Sequence, residues 1–217
     1  MKTYFNVAQR SWKNKIAYLD SNGYEEKGIY NYFLYQNILE YFDIYTRLEE
    51  GLENFDAIVI PTSIDEIYLL RHASKIQSYL EKGGILLSFA QNFLPWLPGN
   101  NLYIPSEISI KDRTIYPSKH SIFEGVREYD LNYRRGVKGF FNRGYFIPPK
   151  NAQIILKDNE DCCVAYIDRH STRGIILSSA GADLLGFGIF DNNTARRMGL
   201  GLLEWVWEEI KNTKDNQ

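Results

Sequence analysis

The sequence predicts an α/β protein with a flavodoxin-like parallel sheet and helices on both faces. Three observations support this fold class. Apolar runs of strand length alternate with amphipathic stretches of helical length, the runs are apolar without interruption, and helix-start and helix-stop residues separate them. A succession of strand, helix and strand implies right-handed crossovers and parallel pairing.

The first part of the chain supplies two strands and two helices. "KIAYLD" (15–20) predicts a strand, and "IYNYFLYQNILEYF" (29–42) has apolar residues at the three- and four-residue spacing of an amphipathic helix. The continuous apolar run at 55–61 predicts a second strand, covered on both faces. A helix over 65–82 follows, with Ser63 or Asp65 as its N-cap and Gly83 as its stop.

The stretch "GGILLSFAQN" then predicts a buried strand at 84–88 with a polar tip. Residues 93–150 hold six of the seven prolines, which predicts an irregular or antiparallel extension beside the sheet. Regular structure resumes with a hairpin around Asn159, a strand at 173–181 and a terminal helix at 194–212. With 217 residues, the chain is expected to form a single domain over 1–217 that includes this extension.

Composition limits the classes of partner. The formal net charge of −2 argues against nucleic acid, because no polyanion-attracting field is expected. The first residues lack an apolar stretch of signal-peptide length, and no run reaches the roughly 18 apolar residues of a membrane span. A cytoplasmic protein without membrane contact is therefore expected. Its 16 tyrosines suit binding surfaces for sugar-like ligands or for proteins.

The segments "FDAIVIPTS", "IQSYLEKGGILLSFAQN", "HSIFEGV" and "RGIILSSAGADLL", with the closing helix, resemble the class I glutamine amidotransferase-like superfamily. The resemblance is to its non-amidotransferase branches, which include ThuA-like proteins and the trimerisation-type domains of some β-galactosidases. It covers residues 15–92 in order, and then short islands at 120–126 and 173–210. It implies the predicted fold and a site at the carboxyl ends of the strands.

Amidotransferase chemistry is not expected. In the amidotransferases of that superfamily, the strand matching 84–88 ends in a glycine-flanked elbow that carries a cysteine nucleophile. This chain has Ser88, Phe89, Ala90 and Gln91 there, with neither cysteine nor glycine. The superfamily's paired His and Glu are also missing, since Ser121 and Ile122 follow His120. The protein is therefore interpreted as lacking glutamine amidotransferase activity.

The sequence contains little that indicates metal or thiol chemistry. No HxH, HxxxH or HxxE pattern occurs, so no metal site is predicted, and no cofactor is implied. Cys162 and Cys163 are adjacent within a predicted strand, which favours inert core thiols over a disulfide. His72 is expected within a helix and His170 in a solvated turn, whereas His120 precedes an island expected near the pocket.

Short polar side chains should gather where the parallel strands end, because ligands bind α/β sheets at that crevice. Each residue taken singly has a simpler interpretation as a helix cap or a turn former. Their concentration at one rim predicts a ligand site that comprises Asp20, Asn22, Thr62, Ser63, Ser88, Gln91, Asn92, His120 and Asp183.

The segment 129–146, "YDLNYRRGVKGFFNRGYF", interleaves basic and aromatic residues. Guanidinium groups grip oxyanions bidentately and rings stack on bases or sugars, so Arg135 and Arg143 are predicted ligand-binding residues. The alternative is an extension with one aromatic face buried and one cationic face solvated.

Two hypotheses about function follow. The first is a catalytically silent binding module for a small anionic, nucleotide or sugar-like ligand or for a protein partner. A homo-oligomer is compatible with both kinds of binding. The second is a hydrolase-type enzyme that uses Ser88 or His120 with Asp20 or Asp183. The second requires His120 within about 3 Å of a nucleophile or of a positioned water.

Overall fold

A mixed eight-stranded sheet forms the centre of the computed structural model, which describes residues 12, 15–23 and 27–215. The strands are β1 (Ile16–Asp20), β2 (Leu39–Asp43), β3 (Ala57–Ile60), β4 (Ile85–Ser88), β5 (Ile104–Pro105), β6 (Ile115–Pro117), β7 (Tyr133–Arg134), β8 (Val137–Lys138), β9 (Gly144–Tyr145), β10 (Gln153–Asp158), β11 (Cys163–Asp168) and β12 (Ile175–Ser179). The main sheet has the order β2-β1-β3-β4-β12-β11-β10-β6.

The parallel half of the sheet confirms the predicted fold class. Strands β1, β3, β4 and β12 are those predicted, and β2, β1, β3, β4 and β12 pair in parallel. Their spatial order is the flavodoxin-like order, in which the second strand lies outside the first. All residues of β1, β3 and β4 are buried, because apolar side chains cover both faces.

Helices cover both faces of this sheet. They are α1 (Lys27–Tyr30), α2 (Ile44–Arg47), α3 (Glu66–Arg71), α4 (Ala73–Glu81), α5 (Glu128–Asn132) and α6 (Arg197–Asp215). Short 3-10 helices occur at Leu48–Glu50, Ser121–Phe123 and Thr194–Arg196. Leu202, Leu203 and Val206 of α6 pack on one face, and Leu69 and Ile76 of α3 and α4 on the other. Among the described helices, none is long and apolar enough to cross a bilayer.

The predicted helix over 29–42 is wrong. Only Lys27–Tyr30 is helical, turns follow, and Leu39–Asp43 forms β2, which pairs with β1 from Ile16↔Leu39 to Asp20↔Asp43. The three-residue spacing of Leu39 and Phe42 fits a helix, but in β2 the two side chains are on opposite faces and join different core clusters. Pairing with the open edge of β1 favours the strand, because it satisfies the backbone groups of both strands.

The predicted helix over 65–82 is interrupted at His72, which separates α3 from α4. Asp65 is the N-cap, since its carboxylate accepts a hydrogen bond from the Tyr68 amide at 2.9 Å. Gly83 ends the helix with φ +89°, a conformation that glycine adopts without strain. The helix-start and helix-stop residues are therefore correct, and the break lies between them.

The antiparallel half adds three strands beyond β12. Strands β10 and β11 form the predicted hairpin around Asn159, and β11 pairs antiparallel with β12. Strand β6, from the extension, pairs with β10 as the last strand of the sheet. The rest of 93–150 has only short regular elements, which are two small ribbons, β5 with β9 and β7 with β8, the helix α5 and the 3-10 helix at Ser121–Phe123. The prediction of an irregular extension is confirmed, although one of its strands joins the main sheet.

The two outer strands of the sheet, β2 and β6, differ in what lies at their outer edges. Beside β2, the Arg47 side chain folds back so that Nη1 donates to the Tyr41 carbonyl at 2.8 Å, while Nη2 pairs with Glu40 at 3.0 Å. At the opposite edge, β6 is three residues long and ends in Pro117, which has no amide hydrogen.

Candidate functional site

The polar residues after β1 and β3 lie together but serve the local backbone. Asp20 is fully buried, and its Oδ1 accepts the Gly23 amide at 2.9 Å, which closes the turn after β1. Asn22 accepts a hydrogen bond from the Tyr41 hydroxyl at 3.1 Å. Ser21 donates to the Ser63 carbonyl at 3.3 Å, and both Thr62 and Ser63 are exposed. This part of the predicted rim is a set of linked turns.

The tip of β4 is closed to solvent. Ser88 is 0% exposed, and its hydroxyl lies 3.5 Å from Oδ1 of Asn92, which is also fully buried. Asn92 adopts φ +53°, a left-handed conformation that asparagine tolerates. Gln91 is half-buried beside Gly181, which follows β12. Ser88 therefore has no path to a substrate in this conformation.

A small hydrophobic cluster covers β11 beside the end of β12. It consists of Phe146, Cys163, Tyr166 and Ala180, all buried. The Phe146 amide donates to the Cys163 carbonyl at 2.8 Å, which fixes the extension across the start of β11. The extension is therefore packed against the antiparallel half of the sheet next to the end of β12.

His120 and Asp183 do not join Ser88. His120 is the N-cap of the 3-10 helix at Ser121–Phe123 and packs against Trp205, with ring centroids 6.1 Å apart. Burial lowers its pKa, and the charge of Arg169 lowers that pKa further. Arg169 follows β11, whose last residue pairs beside the beginning of β12. His120 therefore lies away from the strand ends that hold Ser88, and its predicted place at the rim is wrong.

Asp183 caps a turn of its own. Its Oδ1 accepts the amides of Leu185 and Gly186 at 3.0 and 2.8 Å. These bonds shape the chain between β12 and α6. The second hypothesis from sequence, an enzyme built from Ser88 or His120 with Asp20 or Asp183, has no support in the arrangement of these four residues.

A cavity of about 250 Å³ lies within the extension, at the edge of the sheet where β12 ends. We call it the extension cavity. Ile108, Ile110, Ile115 and Phe141 form its apolar wall, and Ser106, Arg113, Asn132, Lys138, Asn142 and Arg143 supply polar groups. It continues the predicted rim past the parallel strands and onto the antiparallel half of the sheet.

Buried hydrogen bonds hold the floor of the extension cavity. Arg113 donates to the Asp158 carboxylate from Nε at 3.1 Å and from Nη2 at 3.0 Å, and its Nη1 donates to Asn142 at 2.7 Å. Asn142 in turn donates to the Ala180 carbonyl, directly after β12. Asn132 exchanges two hydrogen bonds with the backbone of Ile115. These side chains are buried and bonded within the protein, so they shape the cavity.

Two cationic side chains of the extension cavity are more accessible. The Lys138 ammonium donates to the Lys111 carbonyl and to the Thr114 hydroxyl, both at 3.0 Å. Arg143 is exposed, and only its Nε is used, in a 2.6 Å bond to the Gly139 carbonyl. Within the described ranges, the two terminal nitrogens of Arg143 have no hydrogen-bond or ion-pair partner. Arg143 therefore presents a guanidinium fork at the cavity, as its predicted role requires.

Arg135, the other predicted basic residue, lies elsewhere. It occupies the two-residue turn between β7 and β8, and its side chain is 79% exposed. It lines a separate groove, which we call the tyrosine groove, with Arg127, Tyr129, Tyr133, Phe190 and Asp191. The segment 129–146 thus contributes to two surface features, and Arg135 and Arg143 do not share a ligand site.

The cysteines match the prediction of inert thiols. Cys163 is buried, and burial raises its pKa to about 12. Burial and the neighbouring carboxylates, Asp158 first, raise the pKa of Cys162 as well. Both thiols are free. In the part of the chain that the structure describes, no three His, Cys, Asp or Glu side chains are placed to hold a metal ion.

Sequence analysis did not single out the residues that shape the extension cavity. Arg113, Asn142 and Asp158 are far apart in sequence, and no spacing rule relates them. The charge of Arg113 within "KDRTIYP", two residues before the apolar strand residue Ile115, was the only available signal. Such a buried arginine needs a carboxylate partner, and that partner can be found only in the folded chain.

Comparisons with known proteins give a fold and no family. No family model and no curated protein match the chain. Among solved structures, cytoplasmic protein STM1381 from Salmonella typhimurium LT2 matches with a TM-score of 0.59 and 15% identity, over 88% of this chain and 99% of that one. Cytoplasmic protein STM3548 from Salmonella typhimurium has a TM-score of 0.58 and 13% identity, over 88% and 98%.

A third similar structure is the cold-adapted β-galactosidase from Rahnella sp. R3. It matches with a TM-score of 0.50 and 8% identity, over 90% of this chain and 31% of that chain. At such low identities the three structures show a shared α/β fold alone. Ligands and activities have to be inferred from the side chains of this chain.

Proposed function

We propose that this chain is a catalytically silent binding module whose extension cavity takes a small ligand with one anionic group and an apolar body. The observation that carries the proposal is the pairing of Arg143, with its terminal nitrogens available, and an apolar wall in one cavity. A guanidinium fork matches a carboxylate or phosphate in a bidentate geometry. Ile108, Ile110 and Phe141 offer apolar contact to the rest of the ligand.

The size of the cavity narrows the ligand class. A volume of about 250 Å³ is below the roughly 300–1,000 Å³ of pockets that hold drug-sized molecules. An aromatic or branched aliphatic acid, or its phosphate counterpart, has suitable dimensions. Dinucleotides and oligosaccharides exceed this volume.

The proposal that the module lacks catalytic activity rests on the arrangement around Ser88. Its hydroxyl is buried and bonded to Asn92, and His120 lies against α6. A serine nucleophile requires a base within hydrogen-bond reach and a route for substrate. Neither requirement is met by these residues.

We further propose that the chain is a non-catalytic member of the class I glutamine amidotransferase-like superfamily and is cytoplasmic. The flavodoxin-like strand order and the sequence islands support the first point, as does the partial likeness to a β-galactosidase. The second is supported by the two Salmonella proteins of the same fold, which are described as cytoplasmic.

Thermal-shift titration tests the ligand class. Benzoate, phenyl phosphate and cyclohexanecarboxylate should raise Tm in proportion to the logarithm of their concentration, because a ligand that binds only the native state stabilises it. The neutral isosteres benzamide and benzyl alcohol should raise it much less. Arg143→Gln should abolish the shift by the acids, whereas Arg135→Gln, outside the cavity, should retain it.

Two results would contradict the proposal. One is an absence of any shift by the acids at millimolar concentration. The other is an equal shift in wild type and in Arg143→Gln, which would place the acids at another site.

A further inference from the structure

The tyrosine groove has a stacking surface. The rings of Tyr129 and Tyr133 lie parallel, with centroids 4.6 Å apart and an interplanar angle of 14°. Tyr129 is 61% exposed, and Phe190, 62% exposed, lines the same groove of about 340 Å³. Large aromatic side chains with that exposure offer faces on which a planar group can stack.

Two guanidinium groups line this groove, and each is anchored to a carboxylate. Arg127 donates to Asp130 from Nε at 2.9 Å and from Nη2 at 3.1 Å, while its side chain remains 69% exposed. Nε of Arg135 lies 3.4 Å from Asp191, and this arginine is 79% exposed. Both aspartate side chains are only 5% exposed. Arg127 thus binds Asp130 through Nε and Nη2, which leaves Nη1 for a ligand. Arg135 has only the 3.4 Å contact at Nε, which leaves both of its terminal nitrogens.

The anchors are themselves fixed by other contacts. Asp130 accepts the Thr194 amide at 2.9 Å and the Thr194 hydroxyl at 2.5 Å. Burial raises the pKa of the Asp130 carboxyl, but the hydrogen bonds from Thr194 and Arg127 outweigh this effect and leave the pKa below its usual value. Asp191 also accepts Nε of Arg134 at 2.8 Å. Asp130 therefore holds Arg127 in a defined position, whereas Asp191 is hydrogen-bonded to Arg134 and makes only a weak ion pair with the exposed Arg135.

The backbone places Arg135 in an unusual conformation. Arg135 and Gly136 form the turn between β7 and β8 with φ +51° and +80°. Asparagine, aspartate and glycine are the residues that such two-residue hairpin turns favour. An arginine there directs a charged group toward the groove at a position that does not suit its backbone.

We propose that the tyrosine groove binds a nucleoside monophosphate. The base stacks on the exposed ring of Tyr129, and the phosphate lies between the terminal nitrogens of Arg127 and Arg135. The recognised chemistry is that of a nucleobase joined through ribose to a phosphate, for which an exposed tyrosine ring and guanidinium groups are the matching partners. Anchoring by Asp130 reduces the entropy that Arg127 loses on binding.

This site is separate from the extension cavity. Lys138 borders the cavity, and its ammonium lies 5.8 Å from the ring centroid of Tyr133, which borders the groove. The hairpin of β7 and β8 therefore borders both sites, with Tyr133 and Arg135 on the groove and Lys138 on the cavity. Arg143 belongs to the cavity alone and Arg135 to the groove alone, so substitutions can separate their ligands.

Isothermal titration calorimetry with adenosine 5′-monophosphate tests the proposal on the full chain. Wild type should bind, and Arg135→Gln and Tyr129→Leu should each weaken binding about tenfold or more. Adenosine and ribose 5-phosphate, which each lack one of the two recognised groups, should bind at least about tenfold more weakly than the nucleotide. Arg71→Gln, an exposed arginine on α3, should leave the affinity unchanged.

Several results would overturn the assignment. They are no binding of the nucleotide at millimolar concentration, an unchanged affinity in Arg135→Gln and Tyr129→Leu, or equal affinity for ribose 5-phosphate. Loss of binding in Arg143→Gln with full retention in Arg135→Gln would also overturn it, since the nucleotide would then occupy the extension cavity. Equal Tm values for wild type and Tyr129→Leu verify that the variant is folded.

Discussion

Arg113 and Asp158 form a buried ion pair that joins the extension to strand β10. Two guanidinium nitrogens approach the same carboxylate oxygen at 3.0 and 3.1 Å, and the two side chains are 5% and 0% exposed. The other oxygen of Asp158 accepts the amides of Glu160 and Cys162, both at 3.0 Å. The pair is therefore connected to the cavity floor and to the β10–β11 turn at once.

Arg113→Met should lower the free energy of unfolding by about 3–5 kcal/mol. Removing one partner of a buried ion pair leaves the other charge without compensation in a medium of low polarity. Urea unfolding, followed by circular dichroism, measures this loss.

The double variant Arg113→Met/Asp158→Asn is the control for that experiment. It removes both charges and keeps an oxygen for the amides of Glu160 and Cys162, so it should recover part of the loss. A cost for Arg113→Met below about 1 kcal/mol would show that the pair is solvated in solution.

Ser88→Ala should leave ligand binding unchanged and cost at most about 0.5–1.5 kcal/mol of stability. Ser88 makes one long hydrogen bond to Asn92, and a neutral hydrogen bond contributes no more than this. Thermal-shift titration with phenyl phosphate reports the binding, and a fluorophosphonate probe reports reactivity. Labelling of Ser88 by the probe would argue for the enzyme hypothesis and against a silent module.

Arg135→Asn should raise the free energy of unfolding by about 0.5–1 kcal/mol. Asparagine tolerates the positive φ of this turn position better than arginine does. The ion pair that is lost involves a side chain 79% exposed and contributes little. Arg134→Asn is the matched control, since it removes the 2.8 Å contact with Asp191 at an ordinary strand position and should not stabilise. A lower free energy of unfolding for Arg135→Asn than for wild type would show that Arg135 is not strained at this turn position.

Acid should destabilise the protein through His120. Its pKa lies near 6.5 in the unfolded chain and lower in the folded protein, because burial and then Arg169 disfavour the charged ring. Below about pH 6.5 the unfolded chain therefore binds a proton that the folded protein does not. The free energy of unfolding consequently decreases as the pH is lowered through this range. His120→Asn keeps an acceptor for the Ile122 amide and should flatten this dependence between pH 7 and pH 5.

His170→Asn is the control for the pH experiment, because this histidine is exposed in the turn after β11. Guanidinium chloride midpoints at several pH values give the comparison. The same pH slope in wild type and in His120→Asn would exclude His120 as the group responsible.

Leu203→Ala should cost about 2–5 kcal/mol, since Leu203 is fully buried between α6 and the sheet. Leu70→Ala on α3 is the matched control, as Leu70 is 38% exposed and surface changes stay within about 0.5 kcal/mol. Thermal unfolding of both variants provides the measurement. Equal costs would show that α6 does not pack as the structure has it.

The parallel strands could be predicted from sequence because their signal is local. Ala57–Ile60 and Ile85–Ser88 are buried on both faces, so each is a continuous apolar run bounded by turn residues. Strand β2 could not be predicted this way. Leu39 and Phe42 have a helical spacing, and the strand forms because it pairs with β1 and buries the two side chains on opposite faces of the sheet.

The residue types of the candidate site could be predicted from sequence, but their positions in the fold could be predicted only in part. The basic and aromatic segment 129–146 was found from composition, but its basic residues line two different features, Arg143 the extension cavity and Arg135 the tyrosine groove. At the strand ends, the polar pattern was correct, but Asp20 and Asp183 bond to neighbouring amides. Whether a polar group serves a ligand or its own turn depends on backbone geometry.

The two outer strands constrain how molecules can associate. Exposed strand edges are templates for adding a strand from another molecule, which leads to aggregation. Arg47 occupies the Tyr41 carbonyl on β2, and β6 offers only three residues that end in a proline. One carbonyl of β2 is thus already bonded and Pro117 of β6 cannot donate, so both edges are less favourable templates for an incoming strand. Self-association of this protein, where it occurs, should therefore join helices and loops and should leave the sheets of neighbouring molecules discontinuous.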